Sequence, residues 1–198
     1  MQARSGARSR TIQRSPFADL IVLGLLSEAP LHGYALFARI RDELAGVWRI
    51  NMNRLYALLG EMDCRGLVQG HPERAGNRPP RNVYRPTVKG RRQFQAWMRT
   101  PSRTMRDMRI EFPPKLYFAL RRSHQEAANL IALQRAACYA ELERLTTQQM
   151  TAKPDSYRWL ICDFRLRQVQ AILEWLEMCR AHPLIAAEQT ARGERIEQ

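Results

Sequence analysis

The residues of this chain with the most recognisable chemistry lie between Arg49 and Thr87, and they are suited to holding nucleic acid. Asn51, Asn53, Arg54 and Tyr56 follow one another within RINMNRLYALL. Small, amide, basic and phenolic groups on one free helix side can enter a major groove, and the Asn53 amide can pair bidentately with adenine. Arg74, Arg78 and Arg81 crowd a segment containing Gly76 and the pair Pro79-Pro80. Guanidinium groups on such a tip reach phosphates or a minor groove. Lys89, Arg91 and Arg92 follow Thr87. Cations at a helix start oppose its macrodipole unless an anion is near, which favours a phosphate partner.

These side chains need elements to position them. Leu55, Leu58, Leu59 and Met62 recur on one helical face, predicting a helix from about Met52 to Arg65, N-capped by Asn51 and ended by Gly66. At about 100° per residue, Asn53 and Ala57 fall opposite that stripe, with Arg54 and Tyr56 on its flanks. Leu67 to Glu73 and Asn82 to Arg85 read as two strands of a hairpin, and Thr87 caps a helix to about Arg99 with Phe94, Trp97 and Met98 on its apolar side. Helix, two strands, helix is the order of a winged helix-turn-helix. Upstream, Pro16 starts an almost wholly apolar helix ended by Pro30. Gly33 opens a second, with Tyr34, Leu36, Phe37, Ile40 and Leu44 as its stripe. The trio His32-Gly33-Tyr34 reads as a turn followed by a packed tyrosine, with no chemistry of its own.

The order LIVLGLLSEAPLHGYALFARI, NRLYALLGEMDCRGLV, RNVYRPTVKGRRQFQAWM resembles the PadR family of bacterial transcriptional regulators. The landmarks are His32-Gly33-Tyr34, Leu55-Tyr56, Arg65-Gly66-Leu67, Tyr84, and Thr87 with Gly90. The resemblance covers Phe17 to Pro101 well and Glu111 to Pro183 more loosely, departing at Gly60 and Pro86. It implies a repressor that binds a two-fold operator on double-stranded DNA as a homodimer. It also implies an aromatic effector at the dimer centre, beside a helix such as the one carrying Phe94 and Trp97.

The second half reads as helices for a partner. Pro101 to Arg106 is a predicted hinge, and Glu111 to Arg122 a short helix behind Pro113 and Pro114. Ser123-His124-Gln125-Glu126 is a capping box opening a helix to about Met150, striped by Leu130, Leu133, Ala137 and Ala140. Asp155 can cap a last helix, ended by His182-Pro183, in which Trp159, Cys162, Leu166, Val169, Leu173 and Leu176 keep a three-four alternation. That stripe is the expected dimerisation seam, in an antiparallel coiled-coil-like arrangement that the resemblance makes intermolecular. A helical hairpin closed within one chain is the alternative.

The expected fold class is therefore mainly α, divided as follows: a disordered basic arm at 1–15, a winged helix-turn-helix domain at 16–100, a helical dimerisation region at 101–186 and a frayed tail at 187–198. Formal net charge is +13, and residues 1–100 hold 17 Lys/Arg against 7 Asp/Glu, so the polyanion-facing half is the first. Four scattered cysteines and four scattered histidines form no metal or catalytic spacing, and the cysteines read as buried free thiols. No catalytic residue, metal or cofactor is expected. Neither a membrane-length apolar run nor a signal-peptide core is present, which points to the cytoplasm. Two other readings stand behind the regulator. One is a nucleic-acid- or partner-binding structural adaptor without operator specificity. The other, a small helical enzyme or ligand carrier, lacks any phosphate loop or nucleophile motif.

Overall fold

A computed structural model describes residues 17–73 and 81–186. The basic arm, the wing tip with Arg74 and Arg78, and the tail therefore lie outside the described residues. The elements are α1 (Ala18–Glu28), β1 (Leu31–His32), α2 (Gly33–Glu43), α3 (Met52–Cys64), β2 (Val68–Glu73), β3 (Arg81–Pro86), α4 (Val88–Met98), α5 (Met105–Arg122), α6 (His124–Met150) and α7 (Tyr157–Ala181). The chain is mainly α with a winged helix-turn-helix at its front and a helical region behind.

The first core forms around α1, whose residues Leu20 to Leu26 are all buried because the helix is apolar on every side. Leu36 and Ile40 of α2, the α3 stripe Leu55, Leu58, Leu59 and Met62, and Phe94 and Met98 of α4 close on it. Two glycines allow this closeness. A Cβ on Gly90 would lie 2.1 Å from the Leu67 carbonyl oxygen, and one on Gly24 would lie 2.4 Å from the Phe118 ring.

The wing is part of a three-stranded antiparallel sheet of order β1-β3-β2, not the isolated two-stranded hairpin that the sequence suggests. Leu31 and His32 pair with Tyr84 and Val83, and Gly70 stands opposite Tyr84. A two-residue strand carries no period-two signal, so nothing in the residues announces β1. Pro86 sits at the end of β3 opposite Val68, where a missing N–H costs no inner ladder bond.

Helix ends follow their capping chemistry. The Asn51, Thr87 and Ser123 side chains accept hydrogen bonds from the N–H groups of Arg54, Gly90 and Glu126. For α7 the cap is Ser156 rather than Asp155: Ser156 Oγ accepts from Trp159 N at 3.2 Å. Helix α5 starts six residues before the expected point and runs through Pro113 and Pro114, with Phe112, Pro114, Lys115 and Phe118 buried. Tertiary packing here overrides the loss of two helical hydrogen bonds. The segment after Pro101 is held instead of swinging freely. Ser102 is buried, its N–H donates to Gln134 Oε1 at 2.7 Å, and Gln134 Nε2 donates back to Ser102 O at 3.0 Å.

The seam on α7 also differs from the expectation. Cys162, Leu166, Val169, Leu173 and Leu176 are buried inside the chain, where α7 packs against α6, and Trp159 is half-buried. A three-four alternation specifies a helical seam but not which chain supplies the other side. On α6 the buried positions are Ala127, Leu130, Ile131, Gln134, Cys138 and Leu145, whereas Leu133 and Ala140 are exposed. What stays open on α7 is a second stripe: Tyr157, Leu160, Phe164 and Met178. Cys64 is exposed, against the reading of all four thiols as buried. Among the described residues no helix is long and apolar enough to cross a membrane.

Candidate nucleic-acid interface

Burial of the α3 stripe forces the opposite side of that helix outward. Asn51, Asn53, Tyr56 and Ala57 are exposed. Asn51 spends its amide oxygen on the cap of Arg54, which fixes the helix start. Arg54 is turned along its own helix, with Nη1 3.3 Å from Glu61 Oε1. Asn53 is exposed two residues into the helix, so an adenine edge is within its chemistry.

Tyr56 is held by the neighbouring helix. A Cβ on Gly33 would lie 2.5 Å from its ring, so the absence of a side chain at the start of α2 makes room for the phenol. Between α2, α3 and the wing lies an open cleft of about 560 Å³. Tyr56 enters it from α3, and Arg81, Asn82 and Tyr84 from β3. The third side is His32, Gly33 and Tyr34. Sequence reasoning puts Tyr34 in the buried stripe of α2, yet it is 62% exposed; His32 Nδ1 accepts from Ala35 N at 3.1 Å and caps the helix. The usable signal was glycine: Gly33 and Gly70 each leave space that a tyrosine ring of this cleft fills.

Of the expected DNA contacts, the fold thus gathers Tyr56 and Arg81 around one cleft, with Asn51, Asn53 and Arg54 on the same helix. Arg78 lies outside the described residues. Lys89 is elsewhere: its Nζ donates to Arg65 O at 2.9 Å, at the far end of α3, about 20 Å from Asn51 for a helix of this length. A lysine at a helix C-terminus meets its negative pole, and Arg91 donates to Pro86 O at 2.7 Å. Protein carbonyls thus engage two of the three cations at the α4 start without any phosphate.

Phe94 and Trp97, the expected effector contacts, fill the core at 2% and 7% exposure. Phe94 meets Phe118 edge-on, with ring centres 5.1 Å apart. Trp97 Nε1 donates to Glu111 Oε1 at 3.1 Å, and the other Glu111 oxygen accepts from Ser102 Oγ at 3.0 Å. Lys115 lies buried over the Trp97 ring and donates to Thr100 O at 2.7 Å; burial pushes its amine down. One step beyond Ser102 is a cavity of about 320 Å³ whose walls include Met105, Gln134, Cys138 and Arg144. A polar chain therefore joins Trp97 to an open space at the start of the helical region.

A second link ties α1 and α2 to α5. Arg39 donates to Glu28 and Glu43, Arg121 to Glu28, and the Tyr117 hydroxyl to Glu43. The Arg39 guanidinium holds the Glu43 carboxyl at about 2, and burial followed by Glu43 itself pushes Tyr117 up to about 12.

The profile of the Transcriptional regulator PadR-like family matches residues 22–96, and that of the Virulence activator alpha C-term matches residues 108–182. The negative transcriptional regulator PadR of Bacillus subtilis (strain 168) is 24% identical over 166 residues, which is 79% of this chain and 91% of that protein. A PadR family regulator from Eggerthella lenta DSM 2243 is 31% identical across 40% of this chain and 67% of its own, with a TM-score of 0.36. Bacillus subtilis PadR has been solved with operator DNA (24% identical, 84% of this chain, 100% of that one, TM-score 0.44). It has also been solved with p-coumaric acid (22%, 82%, 96%, TM-score 0.39). With its front half matched by the family profile and its back half by a helical companion, this chain belongs to the PadR-like family of transcriptional regulators.

Proposed function

We propose that this chain is a homodimeric repressor that binds a two-fold operator, reading bases with the exposed side of α3 and gripping the backbone with the wing. The observation carrying this reading is the single cleft around which Tyr56 of α3 and Arg81 of β3 meet, on the half of the chain that holds most of the net positive charge. Its Bacillus subtilis relative supports it by what it is, a negative transcriptional regulator that was solved on operator DNA. The winged domain corresponds to 16–100 and the helical region to 101–186. The dimer forms through the open α7 stripe, since Cys162, Leu166 and Val169 are already used within the chain.

A small aromatic acid releases the DNA. That proposal draws on the p-coumaric acid complex of the relative and on the cavity beside Ser102, from which Glu111 leads to Trp97. A ligand there acts only if it prefers the DNA-incompetent arrangement, and operator DNA must then weaken ligand binding by the same factor. Titrating p-coumaric acid while following tryptophan emission, with and without DNA, measures both; Trp97→Phe identifies the reporting ring. Equal ligand affinity in the two titrations contradicts release.

Binding shifts with DNA flanking neighbouring genes, set against random duplex at one salt concentration, test the operator reading. A repressor separates the two by several kcal/mol. Equal affinity for both would leave only the structural adaptor without an operator.

A further inference from the structure

The segment joining α2 to α3, residues 44–51, has no regular structure but is held in shape. Leu44 is buried, its carbonyl accepts from the N–H groups of Val47 and Trp48 at 2.8 Å each, and Arg49 Nε donates to Ala45 O at 3.1 Å. Against the end of α2 this segment borders a pocket of about 290 Å³ that shares no residue with the wing cleft or with the cavity beside Ser102. Its walls are Phe37, Ile40, Trp48 and Ile50, Ile40 buried and the others half-buried. Arg41 and Arg49, both exposed, are its charged lining, and no Asp or Glu joins them. Ligand sites run from about 300 to 1,000 Å³, so this volume suits a molecule of one ring. Indole and phenyl walls favour an apolar ring, and a guanidinium fork favours a carboxylate. Arg41 is already paired with Asp42, through Nε at 2.7 Å and Nη2 at 3.2 Å. Arg49 spends only its Nε, and among the described residues its terminal nitrogens meet no carboxylate. The C-terminus of α2 opposes an anion with about half a charge, less than the whole charge of Arg49.

We propose that this pocket binds a small aromatic carboxylate, its ring against Trp48 and Phe37 and its carboxylate on Arg49, and that occupation weakens DNA binding. Arg49 and Ile50 directly precede Asn51, whose side chain caps α3. A ligand here therefore neutralises a cation at the foot of α3 and packs against the segment that carries its cap. The effect on DNA rests on the DNA-binding reading above, whereas binding of the carboxylate does not.

The test uses the full chain labelled with nitrogen-15, in which each of the four tryptophans gives one indole signal and Trp48→Phe identifies that of Trp48. Benzoate is titrated at fixed ionic strength beside acetate, which lacks the ring, and benzyl alcohol, which lacks the charge; circular dichroism checks folding. Benzoate should move the Trp48 signal saturably and bind roughly ten-fold tighter than either control. Arg49→Ala should weaken benzoate roughly ten-fold and leave benzyl alcohol unchanged, and Arg41→Ala should cost less. Ala45→Phe fills the pocket and should abolish the shift, whereas Ala140→Phe, which fills the cavity beside Ser102, should preserve it. Benzoate should weaken binding to a random-sequence duplex, and the duplex should weaken benzoate by the same factor. A Trp48 signal unmoved by benzoate, or unchanged benzoate affinity in folded Arg49→Ala and Ala45→Phe, would overturn the site and leave the operator reading standing. Equal benzoate affinity with and without bound duplex would overturn the effect on DNA. Benzoate binding with these losses, in a chain that binds no duplex, would support the site and remove the DNA-binding reading.

Discussion

Leu166→Asp and Phe164→Asp lie two residues apart on α7 and should fail in different ways. Leu166 is 8% exposed and sits in the seam with α6, whereas Phe164 is 56% exposed on the open stripe beside Leu160. Emptying a buried leucine site costs about 2–5 kcal/mol, and leaving an unpaired carboxylate there adds several more. That total rivals the roughly 5–15 kcal/mol that holds a domain together, so Leu166→Asp should unfold the helical region. An aspartate at 164 stays hydrated in the single chain, where a surface change moves stability by about 0.5 kcal/mol or less. In a two-fold dimer each substitution occurs twice. Losing an aromatic anchor worth about 2 kcal/mol per copy then weakens association by about 4 kcal/mol, or roughly a thousand-fold. Sedimentation velocity at micromolar concentration, paired with urea unfolding, separates the outcomes: folded monomer for Phe164→Asp, lost cooperative unfolding for Leu166→Asp. A folded monomeric Leu166→Asp beside a dimeric Phe164→Asp would show that the seam joins two chains and refute the assignment.

Gly90→Ala should destabilise the winged domain by several kcal/mol, since the added carbon meets the Leu67 carbonyl at 2.1 Å and backbone must move; a thermal midpoint within a degree of wild type would contradict this packing. The Glu43 carboxyl, held at about 2 against an ordinary 4.5, contributes stability above pH 4.5 that disappears as pH falls through 2. Wild type should therefore lose more stability than Glu43→Gln between pH 5 and pH 2.5 in urea titrations, and parallel curves would remove the Arg39–Glu43 pair from the account. Tyr117, raised to about 12, works in the opposite sense: its contribution is full below pH 10 and lost as pH rises through 12, a change that Tyr117→Phe should abolish.

What could be read from the residues followed from how local each signal is. The α3 stripe, the caps at Asn51, Thr87 and Ser123, and the stop at His182 depend on neighbours within one or two turns, and the structure has them where the spacing puts them. Strand β1 depends on β3, fifty residues away, and two residues cannot display a period. The double proline of α5 argues locally for a break, yet Phe112 and Phe118 are anchored on either side of it in a core that a window of sequence does not contain. The α7 seam shows the same limit, since its alternation is equally satisfied by α6 or by another chain. At the interface, Tyr56 and Arg81 were legible as residue types on a helix and a wing. That Gly33 holds Tyr56, that Tyr34 faces out, and that Lys89 meets the end of α3 are tertiary facts.

The proposed function requires that a pair of these chains read a two-fold DNA site with α3. Selection of bound duplexes from a random library, followed by sequencing, tests it most directly. A palindromic motif is expected, with half-sites about one helical turn (roughly 34–36 Å) or a multiple of it apart, and loss of preference at one position per half-site in Asn53→Ala at a cost of about 1–3 kcal/mol. Enrichment of no motif, or of the same motif with unchanged preference in Asn53→Ala and Tyr56→Ala, would contradict it.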